Sequence, residues 1–451
     1  MSNYSTHNVR QLLYPKYPKL IDSIAERRPD RTKPKSKYSG YAPGEPLEFE
    51  IVSDQFMDTC TACLNFDLKG ATAGDMIENA ADVIKNFKSY YNDIALEDIV
   101  DCNVWHNAFI AYTANFAWAR GEGHALMGYF TPSVAEDLYN TAGGGTTHKP
   151  QPVALPLIGN TAVTADFSVP LALISGFFRM QNYLPLVGNR LRLLFTLAPA
   201  REVISYPVTA NAYNYTMNNV SISWDCVILK PSYRDAVVAA MQSEQGIRMS
   251  YTSFGCAQFN GNASTSQNLL LSYNYSNALS LHMLRNPVAT KTAIVGAKIW
   301  SHYSQSFPCS DFTSLRVRSG TKYFTPPDNV TNFTELYQNA QKTVSSFCDL
   351  SGSGLVDREI QRANYAAQAA DVFDPSHAGL CLLSANLEKT IENDDTAVIN
   401  SGISSMEAGA SNNFDIQLNT GSAIAATEII HTNIVHKRAL VFKAGGVVVE
   451  Y

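Results

Sequence analysis

Between Val220 and Ile228 the chain alternates without a slip. Val220, Ile222, Trp224, Cys226 and Ile228 fall on one side, and Ser221, Ser223 and Asp225 on the other. Successive side chains of a strand point to opposite faces of a sheet, so this pattern buries one face and wets the other. The same alternation marks 47–52, 63–68, 163–169, 191–197 and 414–418. Further strands are predicted over 247–254, 268–275, 293–301, 315–317, 434–443 and 447–451. Pro287, Pro308, Pro326 and Pro327 punctuate the second half. Many strands joined by turns and long connections fit β-sandwiches of the jelly-roll kind. A chain that ends on the apolar run Val447-Val448-Val449 is expected to pair its last strand in a sheet.

Composition agrees. The 23 Tyr, 21 Phe, 26 Gly and 20 Pro favour strands and turns, and 16% charged residues leaves little for long solvated helices. With 451 residues the chain can bury two or three cores. Helical spacing is local. Met76, Ala80, Val83, Ile84 and Phe87 fit a helix, although a strand over the second half also fits. Leu96, Ile99, Val100 and Val104 form a shorter helical stripe. Tyr233, Val237, Val238 and Met241 predict a helix over 231–241, and helical spacing returns over 333–347 and 355–373.

Residues 1–46 read as an arm. Residues 1–40 hold nine Lys/Arg and three Asp/Glu, whereas the whole chain carries a net charge of -6. Prolines break this stretch and few apolar side chains occupy 27–37, so it is expected to be extended and ordered only by a partner. The solvated-tail reading stands beside the docking-arm reading. The ordered body divides at a helix-and-turn junction near 231–246, giving units over 47–242 and 243–451, the second with a helical insertion over about 327–400. No apolar run reaches the ~20 residues of a membrane-spanning helix. The first residues lack the apolar core of a signal peptide, so the expectation is a protein made inside a cell. The seven Asn-x-Ser/Thr sequons carry little weight in that setting.

No catalytic, metal or cofactor signature stands out. The nine His include no His-x-x-x-His and no His-Glu-x-x-His. His431 and His436 are five apart on a predicted strand, which places them on opposite faces. Cys60-Thr61-Ala62-Cys63 lacks the second ligand pair of a structural zinc site, and Cys63 leads into a strand where a redox motif needs a helix. The eight cysteines read as free, mostly buried thiols. Gly143-Gly144-Gly145 lacks the Lys-Ser/Thr of a phosphate loop, Leu350–Gly354 only approaches a Ser-nucleophile motif, and Glu392–Asp395 reads as a surface turn. The expectation is therefore no enzyme, no catalytic residue, no metal and no cofactor.

One stretch carries a resemblance. Leu155-Pro156-Leu157, Asp166-Phe167-Ser168-Val169-Pro170-Leu171, Ser175-Gly176-Phe177-Phe178, Tyr183-Leu184-Pro185-Leu186 and the strand Leu191–Leu197 lead into Tyr215-Thr216-Met217-Asn218-Asn219-Val220 and Lys230-Pro231-Ser232-Tyr233. In this order they resemble the end of the first jelly roll in the double jelly-roll major capsid proteins. The similarity is greatest to those of Polinton-like viruses, virophages and large eukaryotic DNA viruses. Met76–Asn103 is similar to the family's early region and Gly445–Val449 to its closing strand. The resemblance implies an all-β fold of two tandem eight-stranded jelly rolls with helical insertions and an extended N-terminal arm. It implies a structural virion protein whose homotrimers form pseudo-hexagonal capsomers tiling an icosahedral shell. The expected partners are neighbouring capsomers, penton and minor capsid proteins, and an inner membrane or the genome through residues 1–40. The competing reading is an intracellular β-sandwich protein that binds or processes carbohydrate. It would need an exposed aromatic platform or a carboxylate pair in a cleft.

Overall fold

The structure is a computed structural model. It describes residues 23–129, 153–157, 165–204, 213–286, 312–326, 382–388, 402–404 and 413–450, apart from 74, 114–117, 181, 276, 427 and 445. It also describes 330, 331, 335, 336, 338–340 and 343.

The first half contains β1 (Ile24–Thr32), β2 (Pro46–Val52), β3 (Phe56–Gly70), β4 (Met76–Ile77), β5 (Ile84–Tyr91) and β6 (Ile94–Ile99). Helix α1 (Cys102–Thr113) follows, then β7 (Val153–Ala154), β8 (Ala165–Pro170), β9 (Tyr183–Pro185), β10 (Arg190–Leu197) and β11 (Tyr215–Leu229). Helix α2 (Pro231–Met241) leads into the second half. There lie β12 (Ile247–Asn260), β13 (Ser264–Ser272), β14 (Ala278–Asn286), β15 (Phe312–Ser319), β16 (Lys322–Tyr323), β17 (Leu383–Asn386), β18 (Asn413–Ile424), β19 (Ile429–Lys443) and β20 (Gly446–Glu450).

Four antiparallel sheets result. The first sandwich pairs β1-β11-β3-β8 with β2-β10-β5-β6, and the second pairs β12-β19-β14-β17 with β13-β18-β15-β16. Setting aside β4, β7, β9 and β20, each sandwich has its main strands in the order first-eighth-third-sixth and second-seventh-fourth-fifth. The two halves thus repeat one jelly-roll topology. In both, the longest connection that contains helix falls between the fifth and sixth strands. Residues 335, 336, 338–340 and 343 of the predicted insertion are helical, whereas 355–373 and the strand predicted over 293–301 lie outside the described residues.

Alternation explains the cores. Leu47, Phe49 and Ile51 of β2 and Leu191, Leu193, Phe195 and Leu197 of β10 are all buried. Phe49 and Phe87 both pack on Phe195, with ring centroids 5.9 and 5.0 Å away. Val220, Ile222, Trp224 and Cys226 are buried as the alternation predicts, but Ser221 and Val227 are buried as well and Ile228 is only half-buried, with irregular pairing to β3 on either side of Ser221–Ser223. Pro231 opens α2, where its missing N–H costs nothing, and Val237 anchors the helix. The C-terminal β20 pairs with β19 from Lys443↔Gly446 to Ala439↔Glu450.

Three expectations need correction. Residues 24–32 are not part of an arm ordered only by a partner. They form β1, extended but paired with β11 from Ile24↔Leu229 to Thr32↔Ile222, so this sandwich begins before residue 47. Backbone pairing holds this strand, and it needs no apolar face to do so. The helical reading of 76–87 gives way to β4, a short turn of helix over Ala80–Val83 and β5. The stripe Leu96–Val104 also splits. Leu96 and Ile99 lie on β6 and Val104 on α1, with Asp101 at φ +54° breaking the chain between them.

Candidate functional site at the seam between the two sandwiches

The most distinctive chemistry lies where the sandwiches meet. The first contributes β6, the turn before α1, α1 itself and the turn at 175–177. The second contributes β12, β14 and β19.

Apolar contacts fill much of the seam. Phe109 of α1 stacks on Phe254 at 5.7 Å and meets the His282 ring edge-on at 5.3 Å. Phe177 meets Tyr251 at 5.4 Å and Tyr91 meets Phe442 at 5.5 Å, both edge-on. Gly176 lets the two backbones touch. A Cβ there would lie 1.7 Å from the Thr252 carbonyl oxygen.

Polar groups complete it. The Leu96 carbonyl accepts the Tyr251 hydroxyl at 3.0 Å and also a hydrogen bond from Arg438 Nη1. Arg438 Nε donates to His436 Nε2 at 3.0 Å, and the His436 ring stacks 3.7 Å from Tyr275. Burial, with the nearby Arg438 cation, pushes His436 down to about 3. Glu97 is fully enclosed. It accepts from the Ser175 hydroxyl and, at 3.3 Å, from the Phe177 N–H. Burial raises its carboxyl to about 7 against these stabilising bonds.

Asp101 is the hub. One carboxylate oxygen lies 2.9 Å from Lys85 Nζ, and the other lies 3.1 Å from His431 Nδ1 and accepts from Gln258 Nε2. Lys85 also meets Glu202 at 2.9 Å. Burial alone would raise the Asp101 carboxyl. The His431 hydrogen bond and the Lys85 ammonium outweigh it and hold the group well below the usual carboxylate range. Burial would also lower Lys85, but Glu202 and Asp101 raise it above its ordinary value.

This arrangement joins the two sandwiches through buried ionic, hydrogen-bonded and aromatic contacts. His282 lies 2.8 Å from both the Ser280 and the Ser384 hydroxyls, with no carboxylate in the chain of bonds, and burial lowers it to about 3. Among the described residues no group of three His, Cys, Asp or Glu side chains could hold a metal ion.

The residues weighed in the sequence fall as follows. Cys60 is an exposed residue, yet its Sγ donates to the Met180 carbonyl at 2.8 Å and desolvation pushes the thiol up to about 11. Cys63, on the same strand β3, is raised too by burial. His431 and His436, five apart on β19, both belong to the seam. His431 bonds Asp101 of the first sandwich, and His436 bonds Arg438, which itself reaches Leu96 of the first sandwich. Gly143–Gly145, Leu350–Gly354 and Glu392–Asp395 lie outside the described residues.

No family model matches the sequence, and no curated protein sequence matches it. Solved structures do match. VP54 of PBCV-1, fitted into a reconstruction of the virophage Sputnik, is similar over 94% of this chain and 96% of its own, with a TM-score of 0.57 and 13% identity. The Faustovirus major capsid protein is similar over 93% of this chain and 91% of its own, with a TM-score of 0.53 and 9% identity. The mavirus major capsid protein is similar over 97% and 94%, with a TM-score of 0.50 and 10% identity. The repeated strand order and these matches along nearly the whole chain define the fold class: two tandem jelly rolls, the double jelly-roll fold of these capsid proteins.

Proposed function

We propose that the chain is a viral major capsid protein with a structural, non-enzymatic role in the virion. Its homotrimers would form pseudo-hexagonal capsomers, and these would tile an icosahedral shell beside penton and minor capsid proteins. The observation that carries this reading is the seam set against the internal repeat. The second sandwich presents its first, third and eighth strands to the first sandwich. The corresponding first strand of the first sandwich, β1, is exposed from Ala25 to Arg31. This surface is polar and ordered. Arg27 bridges Asp58 and Asp225 at 2.8 Å each, and Asn65 Nδ2 donates to the Ser223 hydroxyl at 2.8 Å.

A contact between two unlike faces repeats from chain to chain until a ring closes. Six similar sandwiches around an axis require three two-sandwich chains. The basic stretch before and within β1 would then meet a neighbouring capsomer, a membrane or the genome. Contact with a polyanion would weaken steeply with salt.

Light scattering on the purified 49.4 kDa chain at two salt concentrations tests the reading. The expected mass is that of a trimer, about 150 kDa, at both. A monomer at both would overturn it and leave a carbohydrate-binding sandwich as the reading to pursue. Copy number in purified particles separates a major shell protein from a minor one.

A further inference from the structure

The second strands of the two sandwiches, β2 and β13, hold the same place at a sheet edge and are finished differently. The chain before β2 turns back over it. Lys35 N–H donates to the Glu48 carbonyl at 2.8 Å, and Lys35 Nζ spans Glu48 and Glu50. The matching connection before β13 is only Gly261–Ala263, too short to cover anything. β13 pairs with β18 on one side, and among the described residues nothing pairs with its other side.

β13 also lacks the usual protection of an edge. Its sequence Ser-Thr-Ser-Gln-Asn-Leu-Leu-Leu-Ser has no charge and no proline. The first half satisfies its carbonyls locally. Gln267 Nε2 donates to the Ser264 carbonyl at 2.8 Å, Thr420 Oγ1 to that of Thr265 at 3.3 Å, and Asn262 Nδ2 to that of Ser266 at 3.1 Å. The remaining segment is Asn268–Ser272. Leu269 and Leu271 face the core, while Leu270, at its centre, is 62% exposed.

We propose that β13 joins a second copy of this chain, edge to edge and antiparallel, about a twofold axis at Leu270. Antiparallel self-pairing centred there sets Leu270 against Leu270 and Asn268 against Ser272. It removes the exposed leucine from water and brings no like charges together. Five residues form a contact far smaller than the ~1,200 Å² of a stable pair. It holds where many copies repeat it, and in this respect the proposal rests on the shell-forming reading.

The test is Leu270→Cys in the full chain, oxidised under assembly conditions, with peptide mapping against the wild-type protein. Facing strand residues lie within the Cα separation that a disulfide accepts. The expected result is a two-chain species joined through the introduced thiols at position 270. Leu270→Lys, which sets two cations face to face at an exposed position, is expected to stop association beyond the trimer while the trimer and its melting profile persist. A trimer at both salts without a disulfide at position 270, or a Leu270→Lys protein that associates like the wild type, overturns the edge contact and leaves the capsomer reading standing. A monomer at both salts overturns both. An introduced thiol that is unreactive in the reduced protein means another segment of the chain covers β13, and overturns the edge contact alone.

Discussion

β1 and β12 are each the first strand of a sandwich, and each pairs with the eighth main strand of its own sandwich, β11 and β19. Yet β1 reads Ile-Ala-Glu-Arg-Arg-Pro-Asp-Arg-Thr and is exposed from Ala25 to Arg31, whereas β12 holds one charged residue, Arg248, and buries Met249, Tyr251, Ser253 and Phe254. The topology does not distinguish the two strands. Their surroundings do. β12 lies under the first sandwich, while the described chain places nothing over β1. A strand held by its backbone bonds and surface ion pairs, with no buried face, tolerates charge and proline at a sheet edge, and these features also discourage unwanted pairing there.

The sharpest way to break this comparison is to force the seam apart. Gly176→Ala would put a methyl group 1.7 Å from the Thr252 carbonyl oxygen, and backbone cannot give way as a side chain can. The expected cost is about 3 kcal/mol or more by urea unfolding. Gly188→Ala is the control. Its φ of +68° strains an alanine but nothing lies within 4 Å, so about 1 kcal/mol is expected. Equal losses would show that Gly176 is needed for its own turn and not for the approach of the two bodies. Asp101→Ala comes next. It leaves Lys85 and His431 enclosed without their shared carboxylate, for an expected loss of ~3 kcal/mol. Measured melting of the variant and of Asp101→Ala/His431→Ala together would show whether the two residues act as one unit.

Parts of this were legible in the sequence and parts were not, for physical reasons. Val220–Cys226 and 231–241 were readable because one side is dry while Ser223 and Asp225 of the strand and most of the helix stay partly wet, so burial writes a period into the residues. β1 was not, because neither face is buried and its charges and Pro29 imitate a free tail. The 96–104 stripe misled because Leu96, Ile99 and Val104 are all buried, but by different neighbours on two elements. The seam was invisible for another reason. Asp101 and His431 are 330 positions apart, and a buried ion pair leaves no periodic trace. The nearest signals were the stretch Met76–Asn103 in the resemblance and the strand-borne His431 and His436, and nothing in the chain order links the two.

The histidines sharpen the comparison through pH. His106, His282 and His436 are each held near 3 by burial, helped at His106 by Arg179 and at His436 by Arg438. A folded-state value below the ordinary 6.5 contributes stability that is full above pH 6.5 and is lost as pH falls toward 3. Glu97 works the other way. Its value near 7 imposes no cost below about pH 4.5 and an increasing one as pH rises to 7. Between pH 6.5 and 4.5 three groups lose stability on acidification and one gains it, each with a slope of about 1.4 kcal/mol per pH unit. Denaturant midpoints should therefore fall on acidification through this range. His282→Gln should flatten the fall by about one group's slope, and a midpoint unchanged from pH 6.5 to 4.5 would refute the buried-neutral assignment. Glu97→Gln should stabilise the protein above pH 7 and steepen the acid-side fall.

The smallest effect is expected at the other face, and its smallness is the point. Arg27 is 44% exposed at its side chain while it bridges Asp58 and Asp225. An ion pair this wet contributes under about 1 kcal/mol, because water screens it and two long side chains must be held still. Arg27→Ala should hardly move the unfolding midpoint of the isolated chain. If another chain's second sandwich covers this face, the same change leaves Asp58 and Asp225 buried without their cation, and the trimer should then dissociate at concentrations where the wild type does not. Light scattering across a dilution series reads that difference directly. Equal dissociation of the two proteins would mean the β1 face is as solvated in the assembly as it is in the single chain, and that the first and second sandwiches differ for good, not only until a neighbour arrives.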